Sequence, residues 1–598
     1  MISVAEFGEP IYPCLKYIDS VENAPDSDLW HTLIEADNYH ALQLLEYLYA
    51  GKVDCIYIDP PYNTGAKDWK YNNDYGDSSD NYRHSKWLSF IEKRLKIAKK
   101  LLNPKDSVLI VTIDEKEYLH LGCLLEEMFP ESKIQMISSV ISHHGTSRVN
   151  EFSRVNEYIF FVMIGNYNIT ALDESGYVVK GEGVHWQSFR RSNPSNTRPT
   201  RPYQFYPIYV DKKSHKIVKV GEAITPEVDR FSVESIDGCE TVFPVRDDGT
   251  EMMWSVLPEV CRDKIAHGYM KVGKYTPNKP QQYVLQYLMS GTVKDIESGK
   301  IIVTGRNEDG SIVGHNAVTK KSLPKIQWDY ETHDARNYGT KILKNIIGEI
   351  RFSFPKSLYA THDAIKLFVA NKPNALILDF FAGSGTTLHS VNLLNAEDGR
   401  HRRCIMVTNN EISNDEEKKL RAQGFKPGDA EWEKFGIARY VNWPRTICSI
   451  EGHDINGKPL KGNYIGSDIP MRNGFKSNAI FFKLSFLDKT SVAVGRQFKE
   501  LLSVLWMKAG AIGSCPKIDG ENPDMLIYPE NKMAILLNES KYREFLKEVN
   551  DTQNIKTIFI ITDSNNGYKE MISNFKDKEC YQLYRDYLDN FRINTSRR

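Results

Sequence analysis

Nine cysteines are scattered through 598 residues, and none stands in a Cys-x-x-Cys pair. That spacing argues against a thiolate zinc ribbon and a disulfide scaffold, and leads us to expect a reducing, cytoplasmic setting. An excess of one charge is missing too. Lys and Arg number 77 against 78 Asp and Glu, so any contact with nucleic acid has to come from local basic patches. No apolar run approaches the roughly 18 residues that span a bilayer, and no signal-peptide pattern opens the chain, so no membrane partner is expected. There is no phosphate loop with Lys-Ser or Lys-Thr after its glycines, no His-Glu-x-x-His and no Gly-x-Ser-x-Gly elbow. No ATP motor is therefore read in this chain. No internal repeat or metal-ligand set is read.

What is present begins with Asp59-Pro60-Pro61-Tyr62, after the short apolar run Val53–Ile58 and before the polar Asn63-Thr64-Gly65. An acid, two prolines and an aromatic ring at the exit of a buried strand suit the gripping of an amino group on a flat ring. The acid accepts one hydrogen bond from the amine. The prolines lack N–H groups and stiffen the backbone, so a carbonyl there accepts a second, and the tyrosine stacks. A second apolar run, Leu376–Phe381, leads into Ala382-Gly383-Ser384-Gly385-Thr386-Thr387 and a helical stretch. Strand, glycine turn and helix form the entry unit of a nucleotide-type α/β domain. The turn is too short for a phosphate loop.

These segments resemble the amino-methyltransferases of DNA that use S-adenosyl-L-methionine. Asp59–Tyr62 looks like their catalytic motif and Asp379–Gly385 like their cofactor motif. The order, catalytic motif first, is similar to the beta class, and the longer strings are most similar to the modification subunits of type III restriction–modification systems. The resemblance implies a site-specific adenine-N6 methyltransferase acting on double-stranded DNA, with cytosine-N4 as the nearest rival. It also implies a helicase–nuclease restriction subunit and a second copy of the chain as partners, and a bacterial or archaeal cytoplasm, on the nucleoid, as location. Catalytic roles fall to Asp59, Pro60, Pro61 and Tyr62. Cofactor contacts are expected from Asp37 and Asn38 before a helix, from Lys356 and Ser357, from Asp379, Phe380, Ala382, Gly383, Ser384, Gly385 and Thr386, and from Glu411 just past the next strand.

The patterning predicts an irregular N-terminal arm over 1–30. The two α/β halves, 31–165 and 326–450, are expected to assemble one discontinuous, doubly wound Rossmann-like sheet. Between them, 166–325 is expected to read the DNA target. There Arg190, Arg191, Arg198 and Arg201 interleave with Phe189, Tyr203, Phe205 and Tyr206, a mix that suits phosphates, guanine edges and bases. Asn63 is a further expected DNA contact, and the long polar stretch Lys67–Arg83 reads as a lid or a surface loop. A linker is expected over 451–475 and a small C-terminal α/β domain over 476–598, for docking a partner or a second copy. Its Pro523-Asp524 and Glu539-Ser540-Lys541 match the loose spacing of a metal-dependent nuclease. A specificity module that recruits a cleaving partner is the rival of another class.

Overall fold

The computed structural model describes residues 11–63, 82–143, 145–148, 150–173, 184, 186–299, 301–316, 321–488, 498–518, 520 and 523–583. The expected lid lies outside these residues except for Tyr82 and Arg83. The chain forms two compact units, one of 1–172 with 323–598 and one of 173–322.

The first unit is built on one sheet. In spatial order its strands are Ile11–Glu22, Asn478–Asp488, Trp30–Glu35, Arg403–Thr408, Leu376–Asp379, Cys55–Ile58, Asp106–Ile113, Asn156–Gly165, Lys133–Val140 and Gln327–Trp328. Only Ile11–Glu22 and Asn156–Gly165 run against the rest. Parallel strands are covered on both faces, so they read as continuous apolar runs, as Cys55–Ile58 does. Its alternate residues enter different layers. Ile56 and Ile58 pack with helices Asn38–Tyr49, Arg83–Leu101 and Phe498–Lys508. Cys55 and Tyr57 pack with helices Leu358–Val369 and Thr386–Asp398. Each fully buried Leu or Ile in these layers contributes roughly 1.5–3 kcal/mol. The result is the expected discontinuous α/β sheet, doubly wound.

Three local expectations are corrected. The stretch read as an irregular arm holds the strand Ile11–Glu22, which pairs with Asn478–Asp488 along nearly its whole length. Pro13, Asp19 and Ser20 suggested a loop, but at the sheet edge Pro13 gives up no ladder bond that the core needs. The expected boundary at 476 falls just before Asn478–Asp488, which belongs to the main sheet. What lies beyond is joined to it, because Phe498, Leu501, Leu505 and Trp506 are buried in the main core. The last strands, Met525–Tyr528, Met533–Leu536, Thr557–Ile561 and Glu579–Leu583, form a small sheet of their own. The expected linker is packed: Tyr464 is fully buried and its hydroxyl bonds His389 Nε2 at 2.8 Å.

The nuclease-like pattern also dissolves. Asp524 accepts a hydrogen bond from Asn538 Nδ2 at 2.8 Å, and Lys541 pairs with Glu544 rather than with Glu539. Among the described residues no cluster of potential metal ligands forms there.

Candidate active site

Strands Cys55–Ile58 and Leu376–Asp379 are immediate parallel neighbours, with Ile377 opposite Cys55 and Leu378 opposite Ile56. Their carboxyl ends release Asp59–Tyr62 and the glycine turn from adjacent strands. Open parallel sheets hold their ligands outside such ends.

Asp59 is half-buried there. Its Oδ1 accepts from Thr112 Oγ1 at 2.6 Å and faces Lys356 Nζ at 2.9 Å. The same ammonium lies 3.1 Å from Glu157 Oε2, donates to the Tyr62 hydroxyl, and stands 4.6 Å from the Tyr62 ring centre. Tyr62 in turn donates to Glu157 Oε2 at 3.1 Å. Trp87 Nε1 bonds the Pro61 carbonyl at 2.6 Å and fixes the proline loop from behind. Burial alone would depress the Lys356 ammonium, but the Asp59 and Glu157 carboxylates outweigh it and hold its pKa above the usual lysine value. Burial, with those two carboxylates adding, holds the Tyr62 phenol neutral. Lys356, expected at the cofactor, therefore belongs to the Asp59 site. Glu157, Thr112 and Trp87 were not anticipated. Glu157 stands at the head of the apolar run Tyr158–Met163, where an acid on a buried strand is the one signal that pointed to it.

The glycine turn is braced by groups that sequence reasoning also missed. Gly383 and Gly385 have φ of +45° and +80°, the left-handed region where a side chain is strained. Asn442 Nδ2 donates to the Gly383 carbonyl at 3.0 Å. Arg445, fully buried, donates to Thr386 Oγ1 at 2.8 Å and Ser384 Oγ at 3.2 Å. Ser384 and Thr386 thus hold the turn from inside, and it is the backbone that remains for a ligand. Phe380 and Ala382 are buried as well. Asp379 accepts from Phe381 N at 2.9 Å and from Thr387 Oγ1 at 2.5 Å. Burial pushes its carboxyl up to about 7, against those two hydrogen bonds, and the nearby Asp59 carboxylate adds to the rise. A buried acid beside glycines that allow close approach fits the ammonium end of an amino-acid cofactor.

The profile of the N6/N4 DNA methylase family, described as DNA methylase, matches residues 53–469. The chain belongs to that family. It is 29% identical over 421 residues to the type III restriction-modification enzyme EcoPI Mod subunit of Escherichia phage P1, covering 64% of this chain and 58% of that protein. It is 29% identical over 410 residues to the type II methyltransferase M.KpnI of Klebsiella pneumoniae, covering 66% of this chain and 84% of that one. The chain therefore spans little more than half of the Mod relative's length. Among solved structures, the M1.HpyAVI–SAM complex is similar at 12% identity and TM-score 0.26, covering 63% of this chain and 92% of that one.

Several of the expected site residues also have structural duties in this chain. Asp37 caps the helix Asn38–Tyr49, accepting from Tyr39 N at 2.9 Å. Asn38 ties that helix to the turn, donating to the Phe380 carbonyl at 2.9 Å and accepting from Arg94 Nε at 2.5 Å. The Ser357 hydroxyl caps Leu358–Val369 and donates to the Thr332 carbonyl at 2.7 Å. Glu411 stands half-buried just past Arg403–Thr408. Asn63 is corrected as a DNA contact: it is buried, with Nδ2 on Glu117 Oε1 at 2.5 Å.

In the inserted unit, Arg198 is corrected too. It is 3% exposed, paired with Glu251 at 2.9 Å, and donates to the Thr225 and Val228 carbonyls. Phe189, Phe205 and Tyr206 are core residues, which leaves no ring face for a base. Arg190 is half-buried on the Val245 carbonyl and Gln281. Arg191, Arg201 and Tyr203 are exposed. Arg198→Ala is expected to destabilise the inserted unit by about 2–3 kcal/mol through lost charged hydrogen bonds. A denaturant curve reads this, and a variant as stable as the parent would restore Arg198 as a surface contact.

No helix among the described residues is long and apolar enough to cross a membrane.

Proposed function

We propose that this chain transfers a methyl group from S-adenosyl-L-methionine to the exocyclic amine of a base flipped out of duplex DNA, with adenine N6 as the target. The observation that carries the reading is a nitrogen already sitting on Asp59: Lys356 Nζ is 2.9 Å from Oδ1, beside the glycine turn. An amine at that place has its lone pair freed from the ring when the carboxylate and the Pro60 carbonyl accept its hydrogens. The cofactor supplies an electrophilic methyl. The chain's own residues orient the nitrogen, and Asp59 takes the proton that leaves it. Positioning of this kind accounts for several kcal/mol of a barrier. A base in the stack is out of reach, so it has to be extruded, with the Tyr62 ring stacking on it in place of the lost neighbours.

The family resemblance favours adenine over cytosine, because cytosine-N4 members tend to carry Ser where this chain has Asp59. In the inserted unit, the exposure of Arg191, Arg201 and Tyr203 supports them as DNA contacts. The Mod-type relatives support a restriction–modification role; a separate restriction subunit and a second copy of the chain as partners, and a cytoplasmic, nucleoid setting, belong to the same proposal. Methylation-aware sequencing of host DNA with and without the chain tests this directly. N6-methyladenine at one recurring sequence is expected. N4-methylcytosine would reassign the base, and no new mark would overturn the reading.

Cofactor binding is expected to depend on pH through Asp379. A carboxyl whose folded pKa is raised favours folding below its unfolded value, and that contribution is lost as pH rises toward about 7. Ionised Asp379 in the empty site is therefore poorly served until a cation arrives. S-adenosyl-L-methionine should bind several-fold tighter at pH 7 than at pH 6, below the range where its own amino group loses its proton, read by calorimetry. Asp379→Asn should bind weakly with a flat profile, and a flat profile in the parent chain would remove Asp379 from the cofactor.

A further inference from the structure

His84, Glu117 and His120 come together just outside the site, each offering a ligand atom, all within 4.8 Å of one another. His84 opens the helix Arg83–Leu101, and Glu117 and His120 flank the start of the helix Tyr118–Met128. The two imidazoles face each other with ring centres 4.6 Å apart. Glu117 is fully buried, and its two oxygens differ. Oε1 takes Asn63 Nδ2 at 2.5 Å and His84 Nδ1 at 2.7 Å. Oε2 is buried and has no hydrogen-bond partner among the described residues. A buried carboxylate oxygen left without a donor costs free energy, so this position calls for a cation.

We propose that His84, Glu117 and His120 bind a divalent transition-metal ion of the Zn²⁺ type. Two imidazoles and a carboxylate are a ligand set for zinc with one position open. Softer thiolate ions and hard Mg²⁺ or Ca²⁺ suit it poorly. Tetrahedral bonds of about 2.1 Å put ligand atoms roughly 3.4 Å apart, so the His84 to Glu117 hydrogen bond, now 2.7 Å, opens on binding. Binding through His84 Nδ1 moves the ring proton to Nε2, so the contact from Arg83 Nε, now 3.3 Å, is released. Asn63 is the neighbour that orients the carboxylate, and it directly follows Tyr62. The ion thereby pins the end of the catalytic loop to two helices. Cys-x-x-Cys spacing could not reveal such a site, because one ligand comes from a different helix from the other two.

The test uses the full-length chain, without a histidine tag, stripped with chelator and titrated with Zn²⁺ or with Co²⁺ as a spectroscopic probe. A single equivalent of Zn²⁺ is expected per chain, with a rise in melting temperature and a visible Co²⁺ band typical of four or five ligands. His120→Ala alters an exposed side chain, and Glu117→Gln keeps the Asn63 contact in shape. Each should weaken binding by at least about a hundredfold while circular dichroism stays unchanged. Equal Zn²⁺ uptake by the parent chain and a His84→Ala/His120→Ala variant, or no uptake by the parent chain at micromolar Zn²⁺, would overturn the proposal. Neither readout depends on methylation.

Discussion

Asp59→Ala is expected to lower single-turnover methyl transfer by on the order of 10³-fold while the protein stays folded and binds its cofactor. The magnitude follows from what is lost. One preorganised polar contact at a reacting group is worth roughly 10²–10³ in rate, and Asp59 would hold the amine and also receive its proton. The fold should tolerate the change, because Asp59 lies at a strand exit with its side chain 28% exposed. Lys356 would keep its contacts with Glu157 at 3.1 Å and with Tyr62, so no buried charge is orphaned. Thr112 Oγ1 loses an acceptor at 2.6 Å but has the Ile58 carbonyl at 3.4 Å. Asp59→Asn keeps a carbonyl acceptor and loses the base, so it should fall between Ala and the parent chain. The measurement is transfer of a labelled methyl group to a duplex carrying the target, with calorimetry for cofactor affinity. Activity within tenfold of the parent in Asp59→Ala would mean that the amine is held by other groups.

The parts of this site that could be read from the sequence share one property: they are loops at the ends of apolar runs. Asp59–Tyr62 and Gly383–Gly385 each follow a buried strand, and parallel sheets bring such ends together whatever the separation along the chain. A helix over Ser85–Leu102, found at Arg83–Leu101, was legible by another route, through Leu88, Ile91, Leu95, Ala98 and Leu102 at helical spacing. What stayed hidden are single side chains that approach from a third or fourth element. Glu157 and Thr112 lie on neighbouring strands, and Asn442 and Arg445 on one late helical stretch. Nothing in their local pattern says which way they point. Arg198 shows the converse: interleaved Arg and aromatic residues look the same in sequence whether they face DNA or close a small core. The edge strand Ile11–Glu22 was unreadable because its partner, Asn478–Asp488, lies at the far end of the chain.

Lys356→Met should destabilise the protein by about 3–5 kcal/mol at neutral pH, the usual cost of breaking a buried charge pair from one side. The ammonium is 12% exposed and holds two carboxylates, at 2.9 and 3.1 Å. Without it, the side chain of Glu157, 4% exposed, loses its cation and faces Asp59 across the vacated space. In the parent chain the lysine's folded pKa is raised, so its contribution is complete below the unfolded value and fades only as pH climbs through the folded one. Neutral and mildly acidic solutions therefore leave the parent unaffected by this group. The stability gap between the two proteins at neutral pH is read by denaturant unfolding. Adding Glu157→Gln should recover most of the loss at every pH, since a neutral amide needs no counter-ion. A Lys356→Met protein within about 1 kcal/mol of the parent at pH 7, on the scale of an exposed pair, would mean that water already screens these charges. The amine on Asp59 would then be a surface contact, and the pocket argued from it would lose its support.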